Sequence, residues 1–409
     1  MSLKILICGG GCGGPALAYW LARSGHQVTI VERFPVLRAS GAQIDIRAQG
    51  IETIKRMGLL DIIRSKVVNE PGVSIVDAQN KPIATFMANK SGQGAQTFTS
   101  EYEIMRGDLV RVLYDATKDN VKYIFGITVE SFDQHEDKVL VHFSDGRTGT
   151  FDLLVGADGQ GSRIRKAILP PAAPEPYMRV GIYMAYYFVP RTEADDSMCR
   201  SYLCPGRRMI VSRSHNDTEI QVYLIFEDDA EDIRSIPRAG VDQQKEFWTQ
   251  KFSNAGWQAD RFLEGMKTTE NFYCQEIVQV QTDTWYKGRV VLLGDAGYCP
   301  SPFTAMGTTA SFVGAYVLAG ELNRHAQNLP QALANYDMIL RPFINEIQDL
   351  NRPLLRLMFP KSQIGISIFH WIAWFFYYTG IYNLMARFSK EERGGWNLPD
   401  YSELKQCEQ

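Results

Sequence analysis

The chain has 409 residues, of which 45% are apolar and 22% charged, an ordinary globular composition long enough for two or three structural units. Its net charge of −3 offers no broad basic field, which argues against nucleic acid as a partner. Seven scattered cysteines (Cys8, Cys12, Cys199, Cys204, Cys274, Cys299, Cys407) form no C-x-x-C pair, so a reducing, cytoplasmic setting is expected, with neither a disulfide scaffold nor a zinc site.

Taken in order, the chain starts a strand at residue 3 or 4, which leaves no room for a signal or transit peptide. Ile5–Cys8 reads as a buried strand, Pro15–Ser24 as an amphipathic helix and Gln27–Val31 as a second strand. Between the first two, Gly9, Gly11 and Gly14 stand at G-x-G-x-x-G spacing. The first glycine permits a tight turn, the second lets backbone approach a pyrophosphate, and the third lets the helix lie against the strand. The helix N-terminus then offers N–H groups to phosphate. Glu32, about 20 residues on, can accept hydrogen bonds from ribose hydroxyls. Cys12, inside the turn, reads as a small packing residue rather than a redox thiol.

A helix is expected over Ala48–Met57, a β-hairpin from Val73–Asp77 and Ile83–Phe86, a polar loop over Ala88–Ser100 and a helix over Ile104–Thr117. Strands follow at Lys122–Phe125, Thr128–His135, Lys138–Ser144 and Thr150–Val155. They lead into a second glycine turn, Gly156-Ala-Asp158-Gly159, with Ser162 and Arg165 behind it. Residues 177–283 read mainly as antiparallel sheet. The chain then returns to a buried strand, a third turn at Gly294-Asp295-Ala296 and a helix over Thr308–Arg324. Further helices are expected over Leu333–Asn351, bent at Pro342, and Ile364–Arg387.

These three turns, in this order over residues 3–325, resemble those of the class A flavoprotein monooxygenases, the p-hydroxybenzoate hydroxylase fold. The resemblance implies an α/β fold: a Rossmann-like FAD-binding domain built from residues 1–70, 102–171 and 284–330. A β-sheet-rich substrate domain (71–101 and 172–283) is inserted in it, and a C-terminal helical region (331–409) follows. It implies FAD as cofactor, with NADPH or NADH as a transient co-substrate. Oxygen transfer from O₂ would pass through a flavin C4a-hydroperoxide, to hydroxylate or epoxidise an aromatic or polycyclic small molecule. The absence of a second G-x-G-x-x-G after a strand fits such transient docking.

Carried over residue by residue, the resemblance gives Glu32, with Arg33 beside it, the adenosine ribose. Arg106 would reach the flavin side, Asp295 the ribityl chain, and Asp158 a shared role toward FAD and NAD(P)H. Pro302, Ala305, Met306 and Gly307 would form the loop facing the flavin pyrimidine. Two departures stand out. Tyr298 replaces the family's histidine, and Ala305-Met306-Gly307 replaces Gly-Gln-Gly, so Ala305 is expected to enter positive φ less readily than glycine.

Alternation along Glu219–Glu227 puts Ile220, Val222, Leu224 and Phe226 on one face and Gln221, Tyr223 and Ile225 on the other; one face packs and the other is a candidate pocket lining. Tyr183, Tyr186, Tyr187, Arg213, Gln221 and Tyr223 are the substrate candidates. The piece Gly41–Arg47 resembles the tetracycline-hydroxylating branch, which adds Asp45 to the substrate side and Arg47 to the flavin. No nucleophilic triad or metal cluster is visible, so no side chain is assigned as catalytic and no metal is expected.

Residues 362–386 carry no charge, yet polar residues interrupt them. A buried helix bridging two domains fits better than membrane attachment, with His370 packed in a core. Rival readings are Baeyer–Villiger or other flavin oxidation on the same fold and a non-catalytic, membrane-associated flavoprotein; a halogenase would require a W-x-W-x-I-P motif that is missing.

Overall fold

A computed structural model describes residues 2–37, 41–88, 101–381 and 396–405. The expected loop over Ala88–Ser100 lies outside these residues from 89 to 100, and so does the end of the last expected helix from 382.

Two large sheets carry the molecule. The first has six strands in the order Tyr286–Lys287, Val290–Leu292, Leu153–Gly156, Lys4–Cys8, Gln27–Glu32, Lys122–Phe125. All pairings are parallel except the short edge strand Tyr286–Lys287. Its strands read as continuous apolar runs because both faces are covered. Ile5, Ile7, Val28, Ile30, Leu153 and Val155 pack with the helices Gly13–Arg23, Gly307–Arg324 and Leu329–Ile347. Leu6, Cys8, Val31, Leu154 and Leu292 face the other way, onto a three-stranded antiparallel meander (Val129–Gln134, Val139–Phe143, Thr148–Phe151) and the helix Arg163–Ile168.

The second sheet has seven strands, in the order Tyr273–Val280, Tyr177–Pro190, Glu219–Glu227, Arg208–Ser214, Cys199–Cys204, Gly72–Val76, Pro82–Met87. The hairpin Gly72–Met87 joins it through the one parallel pairing, between Gly72–Val76 and Cys199–Cys204. Period-two alternation sorts the two faces. Tyr183, Ala185, Tyr187, Ile220, Val222, Leu224 and Phe226 pack outward under the helices Val241–Phe252 and Ala259–Thr268, whereas Met184, Tyr186, Phe188 and Tyr223 point toward the first sheet, where they line a cavity.

A two-stranded ribbon, Gln43–Asp45 against Glu103–Met105, stands between the sheets. Neither strand was expected. The first lies in a short alternating run, residues 43–47, read as part of a turn segment, and the second, at three residues, is too short to show a period. Ala259–Thr268 was also missed.

The last long helix, Gln363–Thr379, corrects the expectation of a buried helix. Only Ile366 and Ala373 are buried, against the seven-stranded sheet, while Ile364, Ile368, Trp371, Phe375 and Tyr378 form an exposed stripe. Among the described residues no helix is long and apolar enough to cross a membrane.

Candidate active site

A cavity of about 1320 Å³ runs from the glycine turn at residues 9–13 to the inner face of the seven-stranded sheet. Its first wall follows from close backbone packing. Gly9 sits at φ +120°, and a Cβ there would come within 2.2 Å of the Ala157 carbonyl oxygen. A Cβ on Gly14 would lie 2.1 Å from the carbonyl oxygen of Gly9. Both glycines are therefore required by the fold itself. Gly11 differs: the nearest atom to its Cβ position is Nη2 of Arg106, at 3.4 Å, so the turn presents backbone to the cavity beneath a guanidinium. The helix Gly13–Arg23 has no side-chain cap, which leaves its first amides available to an anion.

Glu32 ends the second strand, and both its oxygens accept backbone N–H groups, Oε2 from Gly10 at 2.8 Å and Oε1 from Phe34 at 3.1 Å. The carboxylate thus shapes the turn while retaining lone pairs for a sugar hydroxyl. Arg33 lines the same wall and stacks on Phe34. In Asp158 the carboxylate accepts from Ser162 Oγ (2.6 Å) and Arg163 N (2.8 Å), so it fastens the start of the next helix as well as lining the cavity.

Asp295 opens the short helix Asp295–Tyr298 and lines the cavity. Burial raises its carboxyl above the usual range, against the pull of the Cys299 hydrogen bond, Arg106 and Arg165. Burial likewise raises the Cys12 thiol, although Arg106 works the other way, in keeping with a packing role.

The third turn resolves the two departures. Ala305 does adopt the left-handed conformation, at φ 52°, ψ 20°, at a cost of about 1–2 kcal/mol relative to glycine. Pro302, Ala305 and Gly307 line the cavity. Met306 does not: its side chain joins the core and its N–H donates to Thr304 Oγ1 at 3.3 Å. Tyr298 is a core residue whose hydroxyl meets that of Tyr336 at 2.7 Å.

The far wall carries a buried polar network. Arg213 donates through Nε and Nη2 to both oxygens of Glu70 (2.9 and 2.6 Å) and through Nη2 to Glu103 Oε1. Gln221 Nε2 donates to Gln43 Oε1 at 2.6 Å, while Tyr186 and Tyr223 donate to Gln221 Oε1. Asp45 pairs with Arg47 at 3.3 Å. Its carboxyl is pushed up to about 7, first by burial and then by Glu103, against Arg47 and Arg213.

Of the substrate candidates, Asp45, Tyr186, Arg213 and Tyr223 line the cavity and Gln221 supports them from behind. Tyr183 and Tyr187 do not belong there. Tyr183 is the cross-strand partner of Phe226 and stacks on it, on the packed face. Arg47 is also displaced from its expected place: it is not among the lining residues, and its backbone is bracketed by the Thr309 hydroxyl, which donates to its carbonyl and accepts from its N–H, each at 3.0 Å. Sequence reasoning missed Glu70, Glu103 and Gln43. Gln43 stands in a short run that alternates with Ile44 and Ile46, whereas nothing local marks Glu70 or Glu103.

The donor set fits FAD. Amides and Arg106, which the resemblance puts toward the flavin side, meet instead at the glycine turn, suited to a pyrophosphate, and carboxylates suited to sugar hydroxyls lie on either side, at Glu32 and Asp295. A family model described as the FAD binding domain matches residues 2–350, and the chain belongs to this family, within the class A flavoprotein monooxygenases. It is 37% identical to the FAD-dependent monooxygenase asL4 of Sarocladium schorii, over 98% of this chain and 99% of that one. With the flavin-dependent monooxygenase eupH of a Phoma species it shares 38% over 91% and 92%. Among solved structures, the tetracycline destructase Tet(51) superposes with a TM-score of 0.80 at 29% identity, covering 98% of this chain and 100% of that one. The Klebsiella pneumoniae HpxO complex with FAD and uric acid shares the fold at 19% identity and a TM-score of 0.71. The chain is an FAD-dependent monooxygenase.

Proposed function

We propose that this monooxygenase uses NAD(P)H and O₂ to hydroxylate a polycyclic aromatic molecule held between the flavin and the seven-stranded sheet. The observation that carries the reading is the continuity of the cavity. Single ligands commonly occupy about 300–1,000 Å³, so a space of about 1320 Å³ reaching from the glycine turn to Tyr186, Phe188 and Tyr223 has room for a second, flat molecule beside the cofactor.

Bound here, FAD supplies the chemistry that activates oxygen. This chain's own residues bind, orient and exclude water. Glu32, the amides of the first helix and Arg106 hold the adenosine and pyrophosphate end, and Asp295 holds the sugar-alcohol chain. The loop Pro302–Gly307 presents backbone to the ring end, a type of electrostatic support that does not depend on side-chain identity. Tyr186, Phe188, Met184 and Tyr223 provide an apolar, aromatic wall for the substrate. The relatives are named as monooxygenases of fungal and bacterial origin, and the tetracycline destructases act on a compound with several fused rings, which supports a bulky substrate.

The test is oxidation of NADPH and of NADH by purified, FAD-loaded enzyme under air with a panel of polycyclic phenols. The reading expects at least one compound to stimulate oxidation about tenfold or more over the basal rate, as differential binding in a closed site permits. Oxidation indifferent to every compound, with all the reducing equivalents recovered as hydrogen peroxide, would sink it.

A further inference from the structure

Asp45 and Glu103 are directly opposed on the antiparallel ribbon, in register as Cα partners, so their side chains leave the ribbon on the same face. Both line the cavity. Each uses one carboxylate oxygen inside the protein: Asp45 Oδ2 accepts from Arg47, and Glu103 Oε1 accepts from Arg213. The other two, Asp45 Oδ1 and Glu103 Oε2, are buried without a hydrogen-bond partner among the described residues. The Glu103 side chain is only 4% exposed, so water does not readily serve its free oxygen. Leaving a buried acceptor unsatisfied is costly, and a carboxylate is the costliest acceptor to leave so.

The charges around the pair point in the same direction. Among the described residues, Asp45, Glu70 and Glu103 are three carboxylates, and the two guanidiniums paired with them belong to Arg47 and Arg213, a formal excess of one negative charge when all three are ionised. Tyr186, Tyr223 and Cys199 face the same network as neutral groups, their hydroxyls and thiol raised by burial. Arg106 is turned away, toward Gly11 and Gly41. Above about pH 7, where Asp45 has released its proton, this is an acceptor-only corner with two unpartnered carboxylate oxygens at the edge of an aromatic wall, and it is matched by a proton donor.

We propose that the unpartnered oxygens of Asp45 and Glu103 receive a hydrogen-bond-donating group of the substrate, a ring hydroxyl or a ring amine, and so select which edge of the ring system faces the flavin. The inference rests on the reading of the cavity as a polycyclic-substrate site. It makes the pair specificity-determining: a donor on the ring binds, and a methyl ether at the same position, which cannot donate, does not satisfy the two acceptors. Discrimination against a ligand lacking the matched polar group is large in such sites because protein groups are then left unpaired.

The experiment uses oxidised, FAD-loaded enzyme with no reductant, and reads the perturbation of flavin absorbance on titration with naphthalene-1,3-diol, 1,3-dimethoxynaphthalene and 1-aminonaphthalene. The diol or the amine is expected to bind about tenfold or more tightly than the diether, the size of one charge-assisted hydrogen bond. The double variant Asp45→Asn with Glu103→Gln should lose most of that preference while retaining FAD and its affinity for the diether. Should the double variant fold poorly, Asp45→Asn alone leaves the contacts of Arg213 with Glu70 and Glu103 intact and should reduce the preference in the same direction. Equal affinity for diol and diether in the unaltered enzyme, a preference that survives the substitutions, or no flavin perturbation by any of the three probes each overturns the proposal. Because nothing in this titration turns over, its outcome is independent of whether oxygen transfer is observed.

Discussion

Arg165 Nη1 donates to the carbonyl oxygen of Ala296 at 2.7 Å, joining the second glycine turn to the third across 131 residues of sequence. The same guanidinium donates through Nη2 to the Gln160 carbonyl (2.6 Å) and the Tyr177 hydroxyl (2.8 Å), and it is fully buried. One side chain therefore sets the separation of Asp158 and Asp295 on two walls of the cofactor cavity.

Replacing Arg165 with Met should leave the Ala296 carbonyl and the Tyr177 hydroxyl short of a donor, with the Gln160 carbonyl held only by Tyr177 at 3.2 Å, and destabilise the protein by about 3–5 kcal/mol. Urea unfolding of the FAD-free protein measures this. A loss below about 1 kcal/mol, within the reach of an ordinary surface change, would contradict the role assigned to it.

The glycines of the first turn separate fold from binding. Gly14→Ala forces a Cβ to 2.1 Å from the Gly9 carbonyl oxygen, so it should destabilise by about 2–4 kcal/mol and yield little soluble protein. Gly11→Ala meets only the tip of Arg106 at 3.4 Å. It should fold within about 1 kcal/mol of the parent yet bind FAD at least about tenfold more weakly, because the added methyl stands where the pyrophosphate approaches. Paired unfolding and FAD titrations check both, and a Gly11→Ala variant with unchanged FAD affinity would count against the placement.

These two variants also show what was legible in the sequence. The G-x-G-x-x-G spacing, Glu32, Asp158 and Asp295 could be read directly because each sits at a strand end, where backbone geometry leaves few choices. The alternation along Glu219–Glu227 was equally readable, and it placed Gln221 and Tyr223 toward the inner face. Tyr183 and Tyr187 were misassigned because the same alternation was not extended to their own strand, whose pairing register with Glu219–Glu227 is a long-range fact. Glu70 and Glu103 were invisible for a similar reason: they meet Arg213 across 143 and 110 residues. The apolar stretch after Ser362 looked like a buried helix by composition alone, and only packing shows that most of its large side chains stay exposed.

Burial and Glu103 push the Asp45 carboxyl from 3.8 to about 7, and this sets a pH dependence. Between about pH 4 and pH 7 the native protein retains a proton that the unfolded chain has released, so the group's contribution to stability falls as pH rises, by at most about 1.4 kcal/mol per pH unit, and the fall is complete above pH 7. Asp45→Asn removes the titration. The stability of the variant relative to the parent should therefore climb from pH 4.5 to pH 7.5 and then level off in urea unfolding; a difference that does not vary with pH would refute the assignment.

Arg213 compensates Glu70 and Glu103 in the far wall. Arg213→Met leaves both carboxylates unpaired and should destabilise by about 3–5 kcal/mol, whereas Arg213→Met combined with Glu70→Gln should recover part of that loss. A thermodynamic cycle over the four proteins measures the coupling, and strict additivity would show that the contact contributes nothing.

If this cavity brings oxygen activation and a polycyclic aromatic ring together, the substrate itself acquires an atom of O₂. The most direct measurement is mass spectrometry of the product formed from a stimulating substrate by the FAD-loaded enzyme, with NADPH or NADH, under ¹⁸O₂ in unlabelled water. The expected product is heavier by one oxygen atom, and that atom carries the label. A product whose new oxygen is unlabelled, or a substrate recovered unchanged while NAD(P)H is consumed, would contradict it.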